Sequence, residues 1–141
     1  MWGELFDVSD RPDSFAISGD DGATWGPARS TGINGQTMTP IPLGGDRLLV
    51  LYNRRYGEQG IVMLLVTFTD EVWHIDFEGL MFDARAKRTR PEDIETGVDE
   101  FSAFEFGFPT AIPLRDGSFL ATHWSKEEGK FGIRWTKIRV S

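Results

Sequence analysis

The sequence predicts an all-β chain of stacked antiparallel sheets, and three observations carry that expectation. Apolar runs are short and follow glycine-bearing turns: residues 48–52 follow Gly44-Gly45-Asp46, and residues 61–66 follow Gly57-Glu58-Gln59-Gly60. The octet Ser18-Gly19-Asp20-Asp21-Gly22-Ala23-Thr24-Trp25 has the composition of a tight hairpin corner. The stretch Thr39-Pro40-Ile41-Pro42-Leu43 returns as Thr110-Ala111-Ile112-Pro113-Leu114 at a constant offset of 71 residues, as expected of similar units packed side by side.

Residues 1–12 are rich in turn formers and leave room for one short strand at 5–8. The alternation Phe15-Ala16-Ile17-Ser18 reads as a strand entering the corner, with its partner at about 25–30. Within the corner, the Asp20 carboxylate is placed to accept backbone N–H groups, and Gly22 to take a positive φ. Ser18 and Thr24 supply hydroxyls on either side, and Trp25 is expected to bury its ring beneath the turn. Residues 31–35 form a connector.

The runs at 48–52 and 61–66 do not alternate polar with apolar. Buried helical turns would also fit, but branched residues and short length favour strands covered on both faces. Trp73-His74-Ile75-Asp76-Phe77 resumes alternation and reads as an outer strand. Residues 83–104 are polar and read as an insertion, with a helical turn expected near Pro91. Residues 105–141 repeat the middle segment. Gly60-Ile61 returns as Gly132-Ile133, with one extra residue.

Composition narrows the function classes. At 141 residues, 40% apolar and 13% aromatic, the chain suits one globular domain. A net charge of −7 argues against a broad nucleic-acid surface. With no cysteine there is no disulfide or thiolate metal site, and the compartment cannot be read from redox chemistry. No signal peptide is expected from the opening residues, and no apolar run is long enough for a membrane helix.

The corner pattern Ser-x-Asp-x-Gly-x-Thr-Trp, filled by Ser18, Asp20, Gly22, Thr24 and Trp25, resembles the Asp-box (BNR repeat) of sialidases and related β-propellers. Pro109-Thr110-Ala111-Ile112-Pro113-Leu114-Arg115-Asp116-Gly117 is similar to the innermost strand and turn of a sialidase blade. Asp70-Glu71-Val72-Trp73 looks like a second, decayed box. The resemblance covers about residues 13–140. It implies one partial propeller domain: residues 1–30 end one blade, 35–82 form a four-stranded blade, 83–104 are the insertion, and 105–141 form a partial blade. Strands then count two, four and three, about two of six blades. Three copies closing one ring is the oligomer this implies. The other reading is a C-terminal fragment of a larger glycoside hydrolase.

A sialidase of this type uses a tyrosine nucleophile, a glutamate that activates it, an aspartate acid/base and three arginines on the substrate carboxylate. Phe108 occupies the expected tyrosine position, and a ring without a hydroxyl cannot attack. The tyrosines are Tyr52 and Tyr56, and no acidic residue lies between Trp25 and Asp46, where the glutamate belongs. The resemblance therefore implies a glycan-handling protein without the catalytic pair. Arg54 and Arg55, after an inner strand, are the candidate sugar-binding arginines, with a solvated or salt-bridged pair as the alternative. Arg85 matches the triad more weakly. His123 and Trp124 follow another inner strand and could face a pocket or simply pack the strand end. His74 and His123 lack ligand spacing, so neither metal nor cofactor is expected. The competing function is a non-catalytic structural module that serves oligomer formation.

Overall fold

A computed structural model describes residues 12–88 and 104–141. Every regular element among them is a strand. β1 (Ser14–Phe15) and β2 (Arg29–Ser30) pair as a short antiparallel hairpin. β3 (Gln36–Gly44), β4 (Arg47–Arg54), β5 (Gly57–Phe68) and β6 (Trp73–Arg88) form a four-stranded meander. β7 (Phe106–Pro113), β8 (Phe119–Glu127) and β9 (Lys130–Ile138) form a three-stranded one. The expected grouping of two, four and three strands is thus the one observed. The expected strand at 5–8 and the helical turn near Pro91 lie outside the described residues. Residues 83–88, expected to open the polar insertion, instead continue β6 and pair with β5 as far as Gly57↔Arg88.

The runs at 48–52 and 61–66 lack alternation because the middle sheet is covered on both faces. One face carries Val50, Tyr52, Val62, Leu64 and Val66 beneath Ile33, and Phe15 of the hairpin packs on Trp73 at 5.3 Å. The opposite face carries Ile41, Leu49 and Leu51, and these meet Phe119, Ala121 and Ile138 of the last sheet. Each fully buried Leu or Val contributes roughly 1.5–3 kcal/mol. The Thr39 hydroxyl also donates across the gap to the Pro109 carbonyl at 2.7 Å.

The sequence repeat is a repeat of register. In the middle sheet the rows Ile41–Leu49–Leu65, Thr39–Leu51–Met63 and Gln36–Asn53–Ile61 run across β3, β4 and β5. The last sheet holds Ile112–Leu120–Lys137, Thr110–Thr122–Trp135 and Gly107–Trp124–Ile133 at the same places. Both first strands are bulged at the same point, and the non-glycine residue there takes a left-handed conformation: Thr37 at φ 54° and Phe108 at φ 50°.

The corner at 18–25 forms as the sequence predicts. The Asp20 carboxylate accepts the Ser18 hydroxyl at 2.8 Å, the Thr24 amide at 2.8 Å and the Thr24 hydroxyl at 2.6 Å. The Ser18 oxygen accepts the Gly22 amide at 2.7 Å, and Gly22 has φ 89°. Trp25 departs from expectation, being 66% exposed rather than buried. Its ring lies against Gly22, and the two-residue pairing of β1 and β2 offers no wider sheet for it to lie under. Trp73, the first residue of β6, is the tryptophan that packs against the hairpin, on Phe15.

Candidate strand-end site

The functional candidates gather where β4 and β8 end and β7 begins. Along β4, Leu49, Leu51 and Asn53 point the same way by the two-residue period of a strand. Phe119, Ala121, His123 and Ser125 do the same along β8, alternating buried with half-buried neighbours. The inter-sheet face is therefore apolar at one end and polar at the other. The polar end is as deeply buried as the apolar one: Asn53 is 0% exposed, Ser125 2% and His123 3%.

Arg55 leaves β4 and crosses to β7. It is 5% exposed, with its guanidinium 3.8 Å above the Phe104 ring centre and 4.6 Å from that of Phe106. Its Nη1 donates to the Phe106 carbonyl. A guanidinium stays charged in any protein, so aromatic faces and a carbonyl must replace its water. Gly107 makes this route available, because a Cβ there would lie 2.8 Å from Arg55 Nη2 and 3.2 Å from Trp124 Nε1. Arg55 and Trp124 thus converge on one backbone position.

His123 sits behind this cluster, its ring 4.7 Å from Phe82, which in turn lies 5.7 Å from Phe106. Burial pushes its pKa below the usual histidine value, the nearby Arg134 adds to the effect, and Glu127 opposes it. The imidazole is therefore neutral at pH 7, one nitrogen donating and the other accepting. Neither imidazole nitrogen, neither polar atom of the Asn53 amide, nor the Ser125 hydroxyl has a hydrogen-bond partner among the described residues. Most buried polar atoms are paired, so five without a partner among the described residues set this strand end apart.

In front of Phe82 and Phe106 lies a groove of about 570 Å³. Asp83, Arg85, Glu105, Lys126 and Glu127 rim it, so both signs of charge are present. Arg85, weakly placed in the sequence, contributes here from a left-handed position in β6, where its amide donates to Asp83 Oδ1 at 2.7 Å.

The structure brings Arg55 and Trp124 to the Gly107 backbone, leaves His123 on the opposite face of β8 from Trp124, and separates Arg54 from both. Arg54 turns to the other sheet edge, donating to the Glu58 carbonyl at 2.6 Å and pairing with Glu78 at 3.3 Å. This is the salt-bridged alternative for that residue. Phe108 stands at the bulge beside the cluster and is 70% exposed. Tyr52 lies on the opposite face of the middle sheet, 6% exposed, with its phenol pKa raised chiefly by burial, so a tyrosinate there is disfavoured. Tyr56 sits in the turn between β4 and β5. Among the described residues no group of three or more His, Asp or Glu could hold a metal ion. No helix there is long and apolar enough to cross a membrane.

Ser125, Phe82 and Phe106 were not singled out by sequence, and Asn53 only as the residue an ungapped alignment sets at the arginine position. Asn53 did carry a signal: it stands two places beyond Leu51, a polar residue extending a doubly buried run.

Comparison with known proteins finds no matching family, no matching curated protein and no matching solved structure.

Proposed function

We infer that this chain is a sialidase-like Asp-box module that binds a neutral glycan and does not cleave it by the tyrosine route. The observation that carries this reading is the strand-end site. Phe82 borders a groove of about 570 Å³ whose rim carries Asp83, Arg85, Glu105, Lys126 and Glu127. Sugar C–H faces stack on aromatic rings, and sugar hydroxyls need partners that both donate and accept. The cationic and anionic side chains of the rim supply donors and acceptors between them.

The choice of a neutral glycan follows from Arg55. An anionic sugar asks for a guanidinium free to grip its carboxylate from both sides, whereas this one is buried against two rings and bound to the Phe106 carbonyl. Absence of hydrolysis follows from Phe108 at the nucleophile's place and from the burial of Tyr52.

The test is calorimetric titration of the chain with panels of neutral and sialylated oligosaccharides. Neutral ligands are expected to bind, and Phe82→Ala to weaken them about tenfold, the loss of one stacking ring. A sialoside with a chromogenic leaving group is expected to show no turnover. No binding across the neutral panel at millimolar ligand would overturn the reading. The competing assembly module draws support from a different surface.

A further inference from the structure

We propose that the far face of the β7–β9 sheet is a docking surface for a second copy of this chain. The face is read from the register rows. Ile112, Leu120, Thr122, Trp124, Ile133 and Trp135 hold the positions that Ile41, Leu49, Leu51, Asn53, Ile61 and Met63 hold in the middle sheet. The middle-sheet members are covered by the last sheet: Leu49, Leu51, Asn53 and Ile61 are 0% exposed. In the last sheet Leu120, Thr122 and Trp124 are half-buried, while Ile112 is 56%, Ile133 72% and Trp135 69% exposed. Phe108 and Phe131, both 70% exposed, border the same strand rows.

The chain itself shows what such a face accepts. Where this arrangement of rows occurs first, a β-sheet of the same chain lies on it, joined by apolar contacts and by the Thr39 hydroxyl donating to Pro109. Where it occurs again, Thr110, the counterpart of Thr39, is exposed. The stack therefore ends on an uncovered sheet face, and a second copy of the chain leaves this same face open, so two copies can cover each other there. The exposed parts of these five large side chains amount to roughly 600 Å², the upper end of what a soluble monomer leaves open. A standard interface takes about 800 Å² from each partner, so the patch supplies the apolar centre and its rim the remainder.

Charge at the rim suits the same partner. Lys126, 5.7 Å from the Phe131 ring, and Lys137 border the face, each held near a carboxylate, Glu105 at 3.9 Å and Asp116 at 2.7 Å. Neither lysine presents an uncompensated charge to an approaching copy.

Solution mass by light scattering on a sizing column, from about 1 to 100 µM, tests the proposal. The chain is expected to show a mass above one chain at the upper concentrations. Ile133→Asp and Trp135→Ser, both at exposed positions, are each expected to reduce it to one chain with the circular dichroism spectrum and cooperative melting retained. A single-chain mass at about 100 µM, or an unchanged mass in both folded variants, would overturn it. Should the variants fail to fold, amide exchange of residues 131–135 in the unaltered chain decides. Greater protection at high concentration supports the surface, and equal protection sinks it.

Discussion

Asp20 shows how much a single carboxylate can organise. Three donors within five residues hold it in its charged form, and the Thr24 and Ser18 hydrogen bonds lower its pKa to about 2 from 3.8. A carboxylate depressed on folding adds stability above its unfolded value and loses it as pH falls toward the folded one. Asp20→Asn should therefore lower the melting temperature at pH 7, and the gap from the unaltered chain should close between pH 3.8 and about 2, followed by thermal melts. His123 works at a higher pH. Its folded pKa lies below 6.5, so the unfolded chain binds the extra proton and stability falls as pH drops through 6.5. His123→Leu should flatten melting temperature against pH between about 7 and 5. The corner was legible in the sequence because its partners lie within five positions. The surroundings of His123 were not, because Phe82 and Arg134 reach it through pairing in space.

Strands carry the clearest correspondence between sequence and structure. The offset of 71 foretold two sheets with one pattern of pairing, since register follows from which residues must face inward. It did not foretell that equivalent residues would have opposite fates. Leu51 and Thr122 occupy the same position, yet one is sealed between sheets and the other is half-exposed. Leu51→Ala should cost about 3 kcal/mol in denaturant unfolding, and Thr122→Ala at low protein concentration less than about 0.5. The paired bulges give a second contrast. Left-handed backbone costs a residue with a side chain roughly 1 kcal/mol. Glycine at 108 removes that cost and returns part of it as freedom in the unfolded chain. Phe108→Gly should leave the melting temperature level or higher, and Phe108→Val, branched at Cβ, should lower it. The expected burial of Trp25 beneath the turn failed for a reason of size: the hairpin pairs only two residues on each side.

For the molecule as a whole, the number of copies is the quantity that separates the readings. Three copies completing a six-bladed ring would give a mass near three chains, and two apolar faces meeting across a two-fold axis would give two. Light scattering distinguishes them. The extra residue that shifts the offset from 71 to 72 falls before β9, in the hairpin following β8. It changes a loop and leaves the rows intact. A unit tolerant of such a change can be duplicated in a gene without disturbing its neighbours, because each new copy meets a face already shaped for it. The chain is in that sense extensible: a tandem insertion of one more unit before β7 would lengthen the stack, not break it.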